Sequence, residues 1–285
     1  MIKNLEESNL YKRRRTGYNL KKCGLVAGKG GDGMQILTGK PIMQQIVAGR
    51  LCFYRRPVPS PQLYNRDNWR GETTRFHQAQ QVAIRELNAF YARAREDVGE
   101  TVASIFKIHS MLLEDRNYVE TVRALIQDKG VTAEYAVQMA EASFSTAFSS
   151  MDSPYMRARA VDIHDISQRV LRALMGDRQE LTMAEPAILV ADSFLPSEVM
   201  DLDQRRLLGL ISQNGSLDSH TSMLVQAYRI PAIVDVDLPA KWEGHLALMD
   251  CFTGTIYLDP EPAQQNKLRE RYQANGCPVE YAALS

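Results

Sequence analysis

One stretch restricts the possible folds more than any other. From Glu72 to about Gly176 the chain has few glycines and a single proline, Pro154. Proline breaks a helix interior, so a long stretch almost without it is free to be helical. Apolar Ala83, Leu87, Phe90, Tyr91, Ala94 and Val98 recur three and four positions apart, which lines one face of a helix. "SIFKIHSMLLED", "NYVETVRALIQDKG", "TAEYAVQMAEASFSTAFSSM" and "SPYMRARAVDIHDISQRVLRALMG" continue in the same manner. Thr132 and Ser153 read as N-caps, Pro154 as a first helical residue, and Gly130 and Gly176 as stops. The segment predicts a bundle of roughly four or five helices.

The flanks have a different texture. Ile46 to Tyr54, "IVAGRLCFY", reads as a strand, and "RRPVPSPQLYNRDNWRG" after it as a linker. Beyond Gly176, "AILVA", "LLGLIS", "PAIVDV", "HLALMD" and "GTIYLD" are short aliphatic runs bounded by turn residues, with short helical pieces "PSEVMDLD" and "TSMLVQAY" between them. Strands alternating with helices imply an α/β layer. The early strand has no sheet of its own and is expected to join that layer, which makes the bundle an insertion. The expected organisation is a basic, glycine-rich leader over 1–35, an α/β unit from 36–60 plus 177–262, a helical insert over 70–176, and a terminal helix and tail over 263–285.

Composition excludes several classes. The 285 residues carry a formal net charge of zero, so no nucleic-acid or acidic-lipid surface is indicated. The cysteines at 23, 52, 251 and 277 form no CxxC pair, which argues against a zinc site or a disulfide scaffold and suits a reducing cytoplasm. No run of about 18 apolar residues is present, so no membrane span or signal segment is expected. The leader's "GKGGDG" lacks the GK[ST] ending of a phosphate-binding P-loop.

The chemistry concentrates in "NGSLDSHTSMLVQAYRIPAIV", Asn214 to Val234. Small polar residues lead to His220, and Met223, Leu224, Ala227 and Tyr228 give a helix after it one apolar face. An imidazole at a helix start has unpaired backbone N–H groups beside it, which favour an anion. A neutral imidazole there can act as a nucleophile towards phosphorus, with Ser219, Thr221 and Ser222 adding hydroxyls to hold the phosphate. No metal-ligand spacing and no GxSxG elbow accompany it. Taken alone, these residues equally describe an ordinary polar residue near a helix cap.

The segment Gly209 to Val234, "GLISQNGSLDSHTSMLVQAYRIPAIV", resembles the phosphohistidine segment of enzyme I of the phosphoenolpyruvate:sugar phosphotransferase system. "IFKIHSMLLEDRNY", "RARAVDIHDISQRVLRALMG", "ILVADSFLPSEVMDLD" and "DCFTGTIYLDP" are similar to further blocks of the same family, in the same order, over roughly residues 37 to 275. The resemblance implies an α/β phosphohistidine (swivelling) domain with an inserted all-α helical bundle that docks the small carrier protein HPr. It implies a phosphotransferase in which His220 is phosphorylated and exchanges the group with an HPr-like protein. Glu100, His109 and Arg159 then become candidate carrier contacts, with Asp115 and Asp162 at matching positions. The family's phosphoenolpyruvate-binding barrel, with its Mg2+, has no counterpart in this sequence, so the chain itself is expected to hold no metal or cofactor and to need that domain from elsewhere. The chain also departs from the family: Ser216 and Asp218 replace a glycine and a threonine, and His164 replaces an arginine. Asp235 replaces a glycine, and Val199 stands where a threonine able to hydrogen-bond the imidazole is usual. The rival expectation is a noncatalytic regulatory or HPr-binding module with the same fold.

Overall fold

The computed structural model describes residues 34–56, 68–176, 183–217, 219–274 and 279–281. The basic leader therefore lies, except for its last two residues, outside the described residues, as does Asp218. Strands β1 (Gln35–Thr38), β2 (Lys40–Pro41) and β3 (Ile46–Phe53) come first. Five helices follow: α1 (Trp69–Val98), α2 (Glu100–Glu114), α3 (Arg116–Lys129), α4 (Ala133–Ser149) and α5 (Pro154–Leu174). The chain then returns to the sheet through β4 (Ala187–Ala191), α6 (Pro196–Asp201), β5 (Leu207–Ser212), α7 (His220–Ala227), β6 (Ala232–Val234), β7 (Leu246–Asp250) and β8 (Thr255–Leu258). Helix α8 (Pro262–Ala274) and strand β9 (Val279–Tyr281) close the described chain.

All nine strands form one sheet in the order β1-β8-β7-β3-β4-β5-β6-β2, with β9 pairing β3. β3, β4, β5 and β6 run parallel at its centre, so the early strand and the late ones share a ladder and the bundle is inserted between β3 and β4. Every residue of β4 is buried, as expected of a parallel strand covered on both faces. Its side chains alternate. Ala187, Leu189 and Ala191 belong to the core shared with the helices, whereas Ile188 and Val190 join Trp242, Leu238 and Met249 on the other face.

In the bundle, α1 buries Phe76, Ala79, Ala83, Leu87, Phe90 and Ala94, a stripe at helical spacing. The helix begins at Trp69, so the reading of "NWRG" as linker is corrected: Asn68 accepts from the Gly71 N–H and caps the first turn. Gly99, at φ 95°, makes the corner between α1 and α2 in a conformation that favours glycine. Thr132 caps α4 through the Tyr135 N–H, and Gly130, at φ 62°, ends α3. Ser153 occupies the cap position of α5, but its side chain makes no capping bond. Cys52, buried in β3, is disulfide-bonded, contrary to the expectation from cysteine spacing. Spacing along a chain does not report which residues a sheet brings within bonding range. Among the described residues no helix is long and apolar enough to cross a membrane.

Candidate functional site

Helix α7 follows the parallel strand β5 after a short segment, 213–219. Its cap is built from the serines. The Ser219 hydroxyl accepts from the Ser222 N–H at 3.1 Å, and the Ser222 hydroxyl donates to the Ser216 carbonyl at 2.6 Å. Thr221 donates its hydroxyl to the Phe194 carbonyl at 3.0 Å, tying α7 to the residue just before α6. The hydroxyl hydrogens of Thr221 and Ser222 are therefore committed to backbone carbonyls. The N–H groups of His220 and Thr221, at the open end of the helix, have no acceptor among the described residues.

The buried face of α7 differs from the sequence reading. Ser222, Leu224 and Val225 are buried, while Met223 is 43% exposed and Ala227 and Tyr228 are half-buried. The packing of α7 into the core shared with the sheet turns Val225 rather than Met223 to the inner side beside Leu224.

The His220 side chain is 40% exposed, and its Nδ1 lies 3.4 Å from Oδ1 of Asp162, a residue of the inserted bundle. Asp162 is the hub of a buried charged cluster. The same oxygen is 3.2 Å from His109 Nε2, and Oδ2 accepts from Arg159 Nη1 at 2.8 Å. His109 is fully buried, with its Nδ1 3.2 Å from Asp165 Oδ2, an ion-pair distance without hydrogen-bond alignment. Burial alone would lower the His109 pKa, but the attraction of Asp162 and Asp165 outweighs it and pushes the imidazole up to about 9. Burial likewise opposes ionisation of Asp162, yet His109 and His220 hold its carboxyl well below the usual range.

A mount surrounds this cluster. Asp165 takes both the N–H and the hydroxyl of Ser197 in α6, and Arg169 donates to the Ser197 carbonyl at 2.9 Å. Arg169 and Arg172 both reach Asp201 at the end of α6, at 2.7 and 2.6 Å. Glu198 is gripped by the Tyr54 hydroxyl and by the Arg56 fork. Val199 in the same helix is buried and apolar. Between α5 and the α/β layer lies a cavity of about 440 Å³, mainly apolar, with Val161, Phe194 and Val225 in its walls. Ser219, Thr221 and Ser222 line it and His220 does not, so it lies beside the histidine rather than around it.

The structure sorts the sequence-level candidates. His220, Ser219, Thr221 and Ser222 come together at the start of α7. Glu100 is exposed at the start of α2 and accepts from the Tyr91 hydroxyl at 2.9 Å. His109 is corrected: fully buried between two carboxylates, it offers nothing to a docking partner. Arg159 turns its guanidinium inward to Asp162, and Asp115 is the N-cap of α3. Sequence reasoning missed the meeting of Asp162 with His220. The available signal was the pair Asp162 and Asp165, three apart on one helix face, with Arg159 three residues before and Arg169 four after, a pattern of mutually compensating charges.

Comparison with known proteins agrees with this architecture. The family description "PEP-utilising enzyme, N-terminal" matches residues 38–159, and "PEP-utilising enzyme, mobile domain" matches residues 183–254. A phosphoenolpyruvate-protein phosphotransferase from Bacillus sp. (strain S) is 31% identical over 212 residues, covering 72% of this chain and 36% of that protein. The corresponding Bacillus subtilis protein is 27% identical over 245 residues, covering 85% of this chain and 43% of its own length. The chain thus spans little more than a third of the first of these relatives. Among solved structures, an enzyme I N-terminal structure determined by NMR superposes with a TM-score of 0.65 at 22% identity, covering 84% of this chain and 99% of that one. The N-terminal domain of the nitrogen-type enzyme superposes at 0.59 and 23%.

Proposed function

The chain carries the N-terminal and mobile domains of the phosphoenolpyruvate-utilising enzymes in the fold of the enzyme I N-terminal domain, and from this premise we propose that it is a phosphoryl carrier working through His220. One observation carries the reading: a partly exposed imidazole opens α7, with Nδ1 turned towards a carboxylate and two N–H groups of the helix start beside it. Nε2 is then the nitrogen that faces an incoming phosphoryl group.

In the proposed reaction the Nε2 lone pair attacks phosphorus. The N–P bond forms as the donor's bond to phosphorus breaks, and the donor's leaving atom keeps that electron pair. The N–H groups of His220 and Thr221 and the positive end of α7 offset the charge on the phosphoryl oxygens. Ser219, Thr221 and Ser222 shape the cradle, chiefly by holding the helix start in place, because the Thr221 and Ser222 hydroxyls are bonded to carbonyls. The return step passes the group to a histidine of an HPr-like carrier. Glu100 and neighbouring exposed residues of the bundle are the candidate docking surface. A separate phosphoenolpyruvate-binding domain would supply the first phosphoryl group.

The test is transfer from phosphorylated HPr to the purified chain, with His220→Ala as the control. Acid-labile, base-stable label on the wild type and none on the variant supports the carrier reading. Binding of the carrier without label would favour the regulatory module, and neither binding nor label would leave the fold alone.

A further inference from the structure

We propose that Asp162 is the positioning residue for the phosphoacceptor: from the inserted bundle it holds the Nδ1–H of His220, so that Nε2 is the nucleophile only while the bundle is seated on the α/β layer. The inference rests on the reading of His220 as the phosphorylated residue and adds how that residue is oriented.

Four observations converge. Val199, buried in α6, has an apolar side chain that offers an imidazole no acceptor. The carboxylate that approaches Nδ1 belongs to α5, at 3.4 Å. That carboxylate is itself immobilised, with Arg159 on one oxygen and His109 on the other, and the Asp162 side chain is 2% exposed. Finally, both partners hang from the same short segment. α5 is bolted to α6 through Asp165, Arg169 and Arg172, while α7 is tied by Thr221 to the Phe194 carbonyl just ahead of α6. Residues 194–201 therefore act as a jig that sets the distance between Asp162 and His220.

The charge balance explains why such an arrangement serves phosphoryl transfer. Asp162 and Asp165 carry two negative charges, and Arg159 together with protonated His109 supplies two positive ones. These cations, with Arg169 beside Asp165 as well, let Asp162 keep its charge inside the protein. When Nε2 attacks phosphorus, its lone pair enters the N–P bond and the ring becomes positive. The Nδ1 proton stays on the ring, and the carboxylate beside it stabilises that charge. An outer carboxylate orients and supports a catalytic imidazole in the same way in hydrolase triads. The bland account is that Asp162 merely neutralises His109 and Arg159 within the bundle, and it predicts no influence on His220.

The decisive readout is the tautomer of His220, by long-range 1H–15N correlation on uniformly 15N-labelled full chain. The expected wild-type result is the Nδ1–H form with Nε2 unprotonated, against the usual preference of histidine in water for Nε2–H. Asp162→Asn is expected to return His220 towards that ordinary preference and to slow labelling from phosphorylated HPr by about tenfold or more. Asp162→Glu, which keeps the charge, should recover part of the rate. A wild-type His220 in the Nε2–H form overturns the proposal without any variant, which covers the case in which Asp162→Asn does not fold. An unchanged tautomer in a folded Asp162→Asn protein overturns it too. Because the tautomer is read without phosphorylation, the two readings can fail separately. An unlabelled wild type with the Nδ1–H form removes the carrier reading and leaves the positioning contact. A labelled wild type with an unchanged tautomer in Asp162→Asn does the reverse.

Discussion

At His109 the chain buries an imidazole completely and offers it only two carboxylates, Asp162 and Asp165. Its proton is held in the folded state up to about pH 9, against 6.5 for the free side chain. The folded form thus binds that proton more tightly than the unfolded chain does. The resulting stabilisation, on the order of 3 kcal/mol, is fully present below about pH 6.5 and is lost as pH rises through about 9. The depressed Asp162 and Asp165 describe the same attraction from the other side, and their contribution is lost only in acid. Urea unfolding at a series of pH values should therefore show stability falling between pH 6.5 and 9. The slope should largely disappear in His109→Gln, a variant that is also weaker overall because it strands two buried acids. A wild-type curve that is flat over this range would mean that His109 is neutral in the fold. A quieter residue-level case is Asp235, which adopts φ 63° where a glycine is usual and pairs with Lys40 on the surface. Aspartate is among the few side chains that tolerate this conformation.

At the scale of elements, the pieces with an apolar signature of their own were legible and the rest were not. The stripe from Ala83 to Ala94 announced α1 through its helical spacing, and the aliphatic runs after residue 187 announced β4 to β8, because strands buried in a sheet interior read as short apolar runs between turn residues. β1, β2 and β9 span 4, 2 and 3 residues with at most two aliphatic side chains each, and all three owe their pairing to partners distant in sequence. The candidate site divides the same way. The helix start at His220 is a local feature, readable from Ser219 and the apolar residues after it. The Asp162 contact joins α5 to α7 and exists only once the bundle is seated on the sheet. Asp115 falls at a family-matching position, and its role here is structural: its carboxylate caps α3 through the Asn117 and Tyr118 N–H groups at 2.9 and 3.3 Å. Asp115→Ala should therefore cost about 1 kcal/mol of stability and leave carrier binding unchanged. Titration calorimetry with HPr beside urea unfolding separates the two roles, and weakened binding at unaltered stability would show that Asp115 acts in docking instead of capping.

On the scale of the whole molecule, the inserted bundle and the α/β layer do not have separate interiors. A single apolar cluster runs from Phe76, Phe106 and Ile166 in the helices through Val199 and Leu224 to Leu189 and Leu210 in the sheet. The charged bolts between α5 and α6 cross the same boundary. A chain of this size commonly unfolds through intermediates, one unit at a time. Here, separating the units would expose the shared apolar face and leave Arg169, Asp165 and Asp201 without their partners, so independent melting is costly. Calorimetry should give one transition whose van't Hoff and calorimetric enthalpies agree, and fluorescence should trace the same midpoint as far-ultraviolet circular dichroism. The same experiment bears on how His220 is governed. A single transition means the Asp162–His220 contact is kept wherever the protein is folded, so the His220 imidazole stays oriented until the chain unfolds. Two resolved transitions would mean that one unit melts while the other stays folded. The Asp162–His220 contact would then be lost at the first transition, before the rest of the chain unfolds.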